Sequence, residues 1–296
     1  MTEHRALITG INGFTGHYLA AELEAAGYQV FGTSREPDAS ARNTYTADVC
    51  DRARLGAVVA EVRPTLVAHL AAIAFVAHGD ADAIYRTNVI GTRHLLEAIA
   101  ALDDPPKAVL IASSANVYGN SLVHVIDETA PFAPANDYAV SKLAAEYVAR
   151  LWMDRLPIVI TRPFNYSGVG QAEQFLLPKI VSHFRRGLPE IALGNTDVAR
   201  DFSDVRMVAT AYRRLLEAAP AGEVFNICSG TAYTLSEVLQ MMASIAGYKI
   251  NVTVNPAFVR SNEVKRLLGS KHKLVDCIGP LPDMPLEQTL EWMYRA

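Results

Sequence analysis

The chain predicts a doubly wound α/β fold: a parallel sheet with helices on both faces, and a smaller lobe built mainly from the C-terminal part. Two observations carry this. Short apolar runs alternate with helical segments over residues 5–161, the pattern of repeated β-α units. A glycine-rich turn joins the first run to the first helix. Bulk composition agrees, because 296 residues, half of them hydrophobic and a fifth charged, can bury a sizeable core.

Residues 5–9 form a short apolar run that reads as a buried strand. Gly10-Ile11-Asn12-Gly13-Phe14-Thr15-Gly16 follows, then an Ala- and Leu-rich helix over 18–26 that stops at Gly27. A second strand covers 28–33. Strand, glycine turn, helix, strand is the opening of a Rossmann-type dinucleotide-binding unit. The alternation continues with a helix at 53–62 and a strand at 65–70 that runs into Ala71-Ala72. A helix at 81–101 and a strand at 107–112 come next, then a helix at 137–155 and a strand at 157–161. Residues 122–136 contain prolines and read as a loop delivering the 137–155 helix. Crossovers between parallel strands should be right-handed.

After Arg162 the rhythm breaks. A helix is expected over 171–186, another from about 205 to 219 and a strand at 223–227. Thr234-Leu235-Ser236-Glu237 is a capping box that opens a helix to 246. A strand at 249–254 and a C-terminal helix with Pro285 in its first turn complete the chain. This half reads as unable to form another parallel wound unit. The expected division is 1–165 plus about 202–228 for the sheet domain, and 166–201 plus 229–296 for a substrate-facing lobe.

Net charge is -4 and no basic run occurs, so nucleic-acid binding has no electrostatic support. Cys50, Cys228 and Cys277 lack metal-type spacing and suit a reduced compartment. Residues 1–5 lead directly into a strand, so no signal peptide is expected. The most apolar stretch, 65–77, is too short to cross a bilayer and contains His69. A cytoplasmic protein without membrane attachment is expected. His17, His78, His94, His124, His183 and His272 are not spaced as ligands, and no metal is expected. Met241, Met242, Tyr118 and Phe164 read as packing residues.

Four places carry chemistry. Gly10 permits a tight turn, Gly13 lets the backbone approach a pyrophosphate at the helix N-terminus, and Gly16 allows helix and strand to pack closely. The second strand ends in Thr33-Ser34-Arg35 with no acid, where an Asp or Glu would bind a ribose 2′-hydroxyl. A hydroxyl and a guanidinium suit a 2′-phosphate instead, which favours NADP(H), with NAD(H) still possible. Ser113-Ser114 follows a strand end, where sheet ligands bind. Tyr138 and Lys142, four apart on a helix, lie on one face, where an ammonium would lower the phenol pKa. Alone, each pattern has an ordinary structural explanation.

Together they resemble the extended short-chain dehydrogenase/reductase family, in its nucleotide-sugar branch. The matching pieces are Gly10-x-x-Gly13-x-x-Gly16, Asp48-Val49, His69-Leu70-Ala71-Ala72, Asn88-Val89-Ile90-Gly91-Thr92 and Ser113-Ser114 before Val117-Tyr118-Gly119. Tyr138-x-x-x-Lys142 and Arg162-Pro163-Phe164-Asn165 complete the series. The resemblance implies that Tyr138 is the general acid/base, that Lys142 lowers its pKa and holds the nicotinamide ribose, and that Ser114 hydrogen-bonds the reacting oxygen. It implies cofactor contacts from Gly10, Asn12, Gly13, Phe14, Thr15, Gly16, Ser34, Arg35, Asp48, Val49, Leu70, Ala71, Ala72, Asn88 and Arg162, besides Tyr138 and Lys142.

The branch's dehydratases carry a Glu two residues after the serine, and its GDP-fucose synthases a Cys. This chain has Asn116, which neither takes nor gives a proton at neutral pH. Leu193-Gly194-Asn195, Arg200-Asp201-Phe202 and the segment from Asn255 to Val264 resemble the GDP-sugar group within the branch. Substrate contacts are implied for Ser114, Asn116, Asn165, Lys179, Gly194, Asn195, Arg200, Arg260 and Glu263. Asn255 stands where the group usually has Asp. The expected activity is NADPH-dependent reduction of the C4 ketone of GDP-4-keto-6-deoxy-D-mannose to GDP-6-deoxy-D-mannose. An epimerase or dehydratase holding NAD(P) tightly is the enzymatic alternative, and a cofactor-sensing binding protein the non-enzymatic one. Relatives pair through helices matching 81–101 and 137–155, which implies a homodimer.

Overall fold

The computed structural model describes residues 4–37, 43–74, 79–256 and 264–296. The first half runs β1 (Arg5–Thr9), α1 (Phe14–Ala25), β2 (Gln29–Ser34), β3 (Thr44–Thr46), α2 (Arg52–Val62), β4 (Leu66–His69), α3 (Ala81–Tyr85), α4 (Gly91–Ala100), β5 (Ala108–Ala112), α5 (Asp137–Arg150) and β6 (Ile158–Pro163). The second half runs β7 (Asn165–Ser167), α6 (Leu176–Arg185), β8 (Glu190–Leu193), β9 (Ala199–Asp204), α7 (Val205–Ala218), β10 (Val224–Ile227), β11 (Ala232–Thr234), α8 (Leu235–Ala246), β12 (Asn251–Val254), β13 (Arg266–Leu267), α9 (His272–Ile278) and α10 (Leu286–Arg295).

Seven strands form one sheet in the order β10-β6-β5-β4-β1-β2-β3. Every pairing in it is parallel. Successive side chains alternate between two apolar cores. Ala6 and Ile8 of β1, Leu66 and Ala68 of β4 and Leu110 of β5 pack with Leu19 and Leu23 of α1 and Val208, Ala211 and Leu215 of α7. Leu7, Val67, Val109 and Ile111 point the other way, onto Val58 and Val59 of α2 and Leu95, Leu96 and Ile99 of α4. A sheet apolar on both faces needs helices on both, and that is why its strands read as continuous hydrophobic runs. The fold is the Rossmann-like doubly wound sheet.

The remaining strands build two small sheets, β11-β9-β13 with β7 beside β9, and β12-β8. A separate core of Leu177, Ile180, Phe184, Val238, Met242 and Leu290 holds this region together. Met242, Tyr118 and Phe164 are buried packing residues, as expected.

Three local expectations fail. The second half does supply a wound unit, because α7 covers the α1 face and β10 joins β6 in parallel. Nothing local marks this; the strand pairs only after some 60 intervening residues have looped out through the small lobe. The 81–101 helix is interrupted by a π-helical turn at Arg86–Ile90, which turns Asn88 inward. The helix after Asn136 ends at Arg150 rather than at 155.

His69 ends β4 and is buried between two threonines. Its Nδ1 lies 2.7 Å from Thr9 Oγ1 and its Nε2 2.9 Å from Thr92 Oγ1. Burial, with Lys142 nearby, lowers its pKa to about 3. The folded ring is therefore neutral where an unfolded one titrates near 6.5, so its contribution is complete above pH 6.5 and is lost as pH falls toward 3. Denaturant midpoints measured from pH 7 to 4 should fall more steeply for the wild type than for His69→Gln.

Candidate active site

The site lies at the C-terminal ends of β1, β2, β4 and β5, where the strand order reverses beside β1. Gly10 has φ +73° and donates its N–H to Thr33 O at 2.9 Å. A Cβ there would stand 2.9 Å from Ala71 Cα, and one at Gly16 2.4 Å from Gly10 O. Gly13 caps α1 without any side-chain hydrogen bond, leaving the helix N-terminal amides for an anion. This cradle fits a dinucleotide pyrophosphate. Asn12 is exposed beside it, and Phe14 and Thr15 open the helix, half-buried. Leu70 and Ala71 are drawn to the turn by Thr9, whose carbonyl and hydroxyl accept their N–H groups at 3.2 Å each, and Ala72 follows. Ser34 is half-buried and Arg35 exposed at the end of β2. Asp48 is exposed and accepts the Cys50 N–H at 2.8 Å.

Three expected cofactor contacts, Val49, Asn88 and Arg162, are buried and engaged within the protein. Val49 is 4% exposed and fills the space left by Gly91, where a Cβ would stand 2.6 Å from Val49 Cγ2. Asn88 is 1% exposed; it grips the backbone of Ile73 at both N and O and donates to Ser141 Oγ at 3.0 Å. It shapes the segment behind β4 rather than facing a ligand. Arg162 is also 1% exposed, and its side chain is engaged within the protein. Its guanidinium meets Glu146 of α5 through two bonds of 2.9 and 2.7 Å and donates to Tyr118 Oη at 2.9 Å.

Ser114 caps a 3-10 turn, Ala115–Tyr118, directly after β5. Asn136 caps α5 by accepting the Ala139 N–H, which sets Tyr138 and Lys142 on the inward face. Ser114, Tyr138 and Lys142 are all buried, and Ser114 stands close enough to the Tyr138 phenol to influence its pKa. Burial pushes the phenol up to about 12, and Ser114 opposes that rise. Lys142 donates to Ala112 O at 2.8 Å, and burial lowers it to about 8 against the pull of Glu146. The expectation that Lys142 lowers the Tyr138 pKa is thus corrected in this structure. The ammonium points at a carbonyl, and loss of water around the phenol dominates.

In the small lobe, Asn165 on β7 has a buried Nδ2 with no hydrogen-bond partner. Lys179 on α6 donates to Ala192 O at 2.6 Å. Gly194 and Asn195 line a cavity of about 250 Å³ with Thr196, Asp197, Val198, Val254 and Lys265. Arg200 on β9 donates to the carbonyls of Ala199 and Lys265. Asn116 donates its Nδ2–H to Ser114 Oγ at 3.0 Å. Arg260, Glu263 and His78 lie outside the described residues.

Two residues of the site escaped sequence reasoning. Tyr166 on β7 places its hydroxyl 2.7 Å from Thr15 Oγ1 and stacks on Phe14, tying the small lobe to the glycine turn. Glu146 sits one helical turn beyond Lys142, and the spacing 138, 142, 146 was a readable signal. Among the described residues, no group of three or more His, Cys, Asp or Glu could hold a metal ion. No helix among them is long and apolar enough to cross a membrane.

Fold and site define an extended short-chain dehydrogenase/reductase, an NAD(P)-dependent oxidoreductase. The GDP-mannose 4,6-dehydratase family pattern matches residues 7–293, and the chain belongs to that family. It is 34% identical over 298 residues to GDP-6-deoxy-D-mannose reductase of Pseudomonas aeruginosa, covering 97% of this chain and 94% of that one. It is 32% identical over 276 residues to GDP-6-deoxy-D-talose 4-dehydrogenase of Aggregatibacter actinomycetemcomitans, covering 93% and 91%. Among solved structures, a candidate epimerase of Burkholderia cenocepacia J2315 is 55% identical with a TM-score of 0.93, over 99% of this chain and 97% of that one. RMD of Pseudomonas aeruginosa complexed with NADPH is 32% identical with a TM-score of 0.85, over 99% and 98%.

The Glu146–Arg162 pair should be sensitive to loss of one partner. Arg162→Met leaves a buried carboxylate uncompensated and should cost about 3–5 kcal/mol in denaturant unfolding. Replacing both partners by apolar residues should cost less than that single change.

Proposed function

We propose that the protein reduces the C4 ketone of GDP-4-keto-6-deoxy-D-mannose to GDP-6-deoxy-D-mannose with NADPH. The observation that carries this reading is Tyr138 buried together with Ser114 and Lys142, with Asn116 bonded to Ser114 where proton abstraction would need an acid-base group. Bound NADPH supplies hydride to a carbonyl carbon. Tyr138, held protonated by burial, gives its proton to the C4 oxygen, and Ser114 donates a hydrogen bond to that oxygen as charge develops. Hydride and proton together convert ketone to secondary alcohol. Lys142 offers a cation next to the phenolate left behind.

The cradle of Gly10, Gly13 and Gly16 takes the pyrophosphate, and Ser34 and Arg35 take the 2′-phosphate. Residues 166–201 and 229–296 form the sugar-nucleotide lobe, with Asn165, Lys179, Gly194, Asn195 and Arg200 as contacts beside Arg260 and Glu263. Support for the GDP-sugar class comes from the two curated relatives, both of which act on GDP-6-deoxy sugars by name. The NADPH-bound relative supports the cofactor.

A second reading follows from the candidate epimerase. Removal and return of hydride at C4 needs the same three residues, and Asn116 does not oppose it. The two readings differ in net consumption of NADPH. Purified protein given NADPH and the keto sugar should lose the reduced-nicotinamide absorbance in proportion to alcohol formed. Absence of that loss, with nucleotide retained through purification, would replace reduction by epimerisation. Tyr138→Phe should lower kcat by at least about 10²-fold while leaving NADPH binding intact. Arg35→Ala should erode the preference for NADPH over NADH by roughly tenfold or more, the worth of a charge-assisted bond.

A homodimer is also proposed. Ile90, Val140, Tyr147 and Leu151 are large apolar residues exposed along the π-turn, α5 and the turn after it, at 43%, 39%, 56% and 81%. Light scattering should give twice the chain mass, and Tyr147→Glu with Leu151→Glu should halve it.

A further inference from the structure

We propose that Asn116 is a positioning residue that fixes the direction of the Ser114 hydroxyl, making Ser114 a hydrogen-bond donor to oxygens in the site. The proposal rests on the reductase reading above and adds to it a cause for the serine's behaviour.

The geometry begins at the turn after β5. Ser114 Oγ receives two N–H groups from one residue, the Asn116 backbone amide at 3.2 Å and Asn116 Nδ2 at 3.0 Å. A hydroxyl has two lone pairs and one proton. With both lone pairs engaged, the proton is left for a third partner, and the Tyr138 phenol, whose pKa the nearby serine lowers, is the neighbour placed to be one. Hydrogen bonds in a chain polarise one another, so two incoming donors also make the Ser114 O–H a stronger donor.

The turn cannot relax to release this arrangement. Val117 N donates to Ser114 O, and Gly119 N donates to Asn116 O. Tyr118, the last residue of the turn, is fully buried, donates to Asn226 Oδ1 at 2.8 Å and accepts from Arg162. Gly119, at φ +51°, lies so close to Ala133 O that any Cβ would collide with it. Asn116 is therefore held from both sides, with its amide on Ser114.

A ketone oxygen taking up hydride accumulates negative charge and needs donors aimed at it before the reaction. Ser114 would be ambiguous as a free hydroxyl, able to accept from Tyr138 and so compete for the proton the substrate needs. Asn116 removes that ambiguity. A carboxylate in its place would do the reverse, because its oxygen would accept the Ser114 proton and turn Ser114 into an acceptor.

The test uses Asn116→Asp, Asn116→Ala, Ser114→Ala and the double Ser114→Ala/Asn116→Ala variant. For ketone reduction, Asn116→Asp should lower kcat by roughly 10²-fold with little change in KM, as removal of an oriented donor does. The ratio of its kcat to that of the wild type should rise as pH falls toward the ordinary carboxyl pKa of about 4, where a protonated Asp can donate. Asn116→Ala should lose less, and in the Ser114→Ala background it should lose nothing further. A full additional loss in the double variant, or a raised KM with unchanged kcat, would overturn the proposal, since Asn116 would then act on the sugar directly. A second readout needs no substrate. In protein labelled with ¹³C at tyrosine Cζ, and assigned with Tyr138→Phe, the Tyr138 resonance should move the same way in Asn116→Asp and in Ser114→Ala. An unmoved resonance in Asn116→Asp would also overturn it. A moved resonance in a protein that reduces no ketone supports the orienting role and rejects the reductase reading alone.

Discussion

The ion pair between Glu146 and Arg162 ties the site to the fold. Both side chains are 1% exposed, and the bond closes at 2.7 Å. It joins α5, which carries Tyr138 and Lys142, to β6. From Arg162 the contacts run to Tyr118, from Tyr118 to Asn226 on β10, and from Asn226 to the carbonyl of Ile126 in the loop before α5. Glu146 also accepts the hydroxyl of Ser113, the neighbour of Ser114, at 2.6 Å. Two charges this deep are favourable only when every donor and acceptor is engaged. The same requirement fixes where the helix, the 3-10 turn and the delivering loop stand relative to one another.

Around this frame the electrostatics favour proton donation. Withdrawal from water raises the phenol of Tyr138 and lowers the ammonium of Lys142, so each is biased toward its neutral form. A phenol that stays protonated at neutral pH suits a step in which a proton must be given. The glycine turn and the uncapped N-terminus of α1 stand opposite as a site for negative charge. Tyr166 bridges that turn to β7, next to the unpartnered amide of Asn165. Cofactor cradle, reacting groups and small lobe thus share a border only a few side chains wide.

Much of this was readable from residues in order. Gly10, Gly13 and Gly16 announced a turn that only glycine can make, and the structure shows why at Gly16, where a Cβ would overlap the carbonyl of Gly10. The spacing of Tyr138 and Lys142 placed both on one helix face. Only the family resemblance pointed to Arg162 and Asn88 as cofactor contacts. Arg162 and Asn88 carry groups that bind nucleotides well, yet both are turned into the protein, one by an ion pair and one by a π-helical turn. Sequence carries no direct sign of a π-turn inside an otherwise regular helix, and none of the distance between Arg162 and Glu146.

The sequence by itself determined the alternation of strands and helices, the glycine cradle and the placing of Tyr138 and Lys142 on one helix face, because each depends on local backbone freedom or on a period of two or 3.6 residues. Only the tertiary structure decided which polar residues face the cleft. It also decided that β10 lies parallel beside β6, that the phenol is withdrawn from water, and that Asn116 bonds Ser114. These depend on desolvation and on contacts between segments far apart in the chain, and no local pattern encodes either.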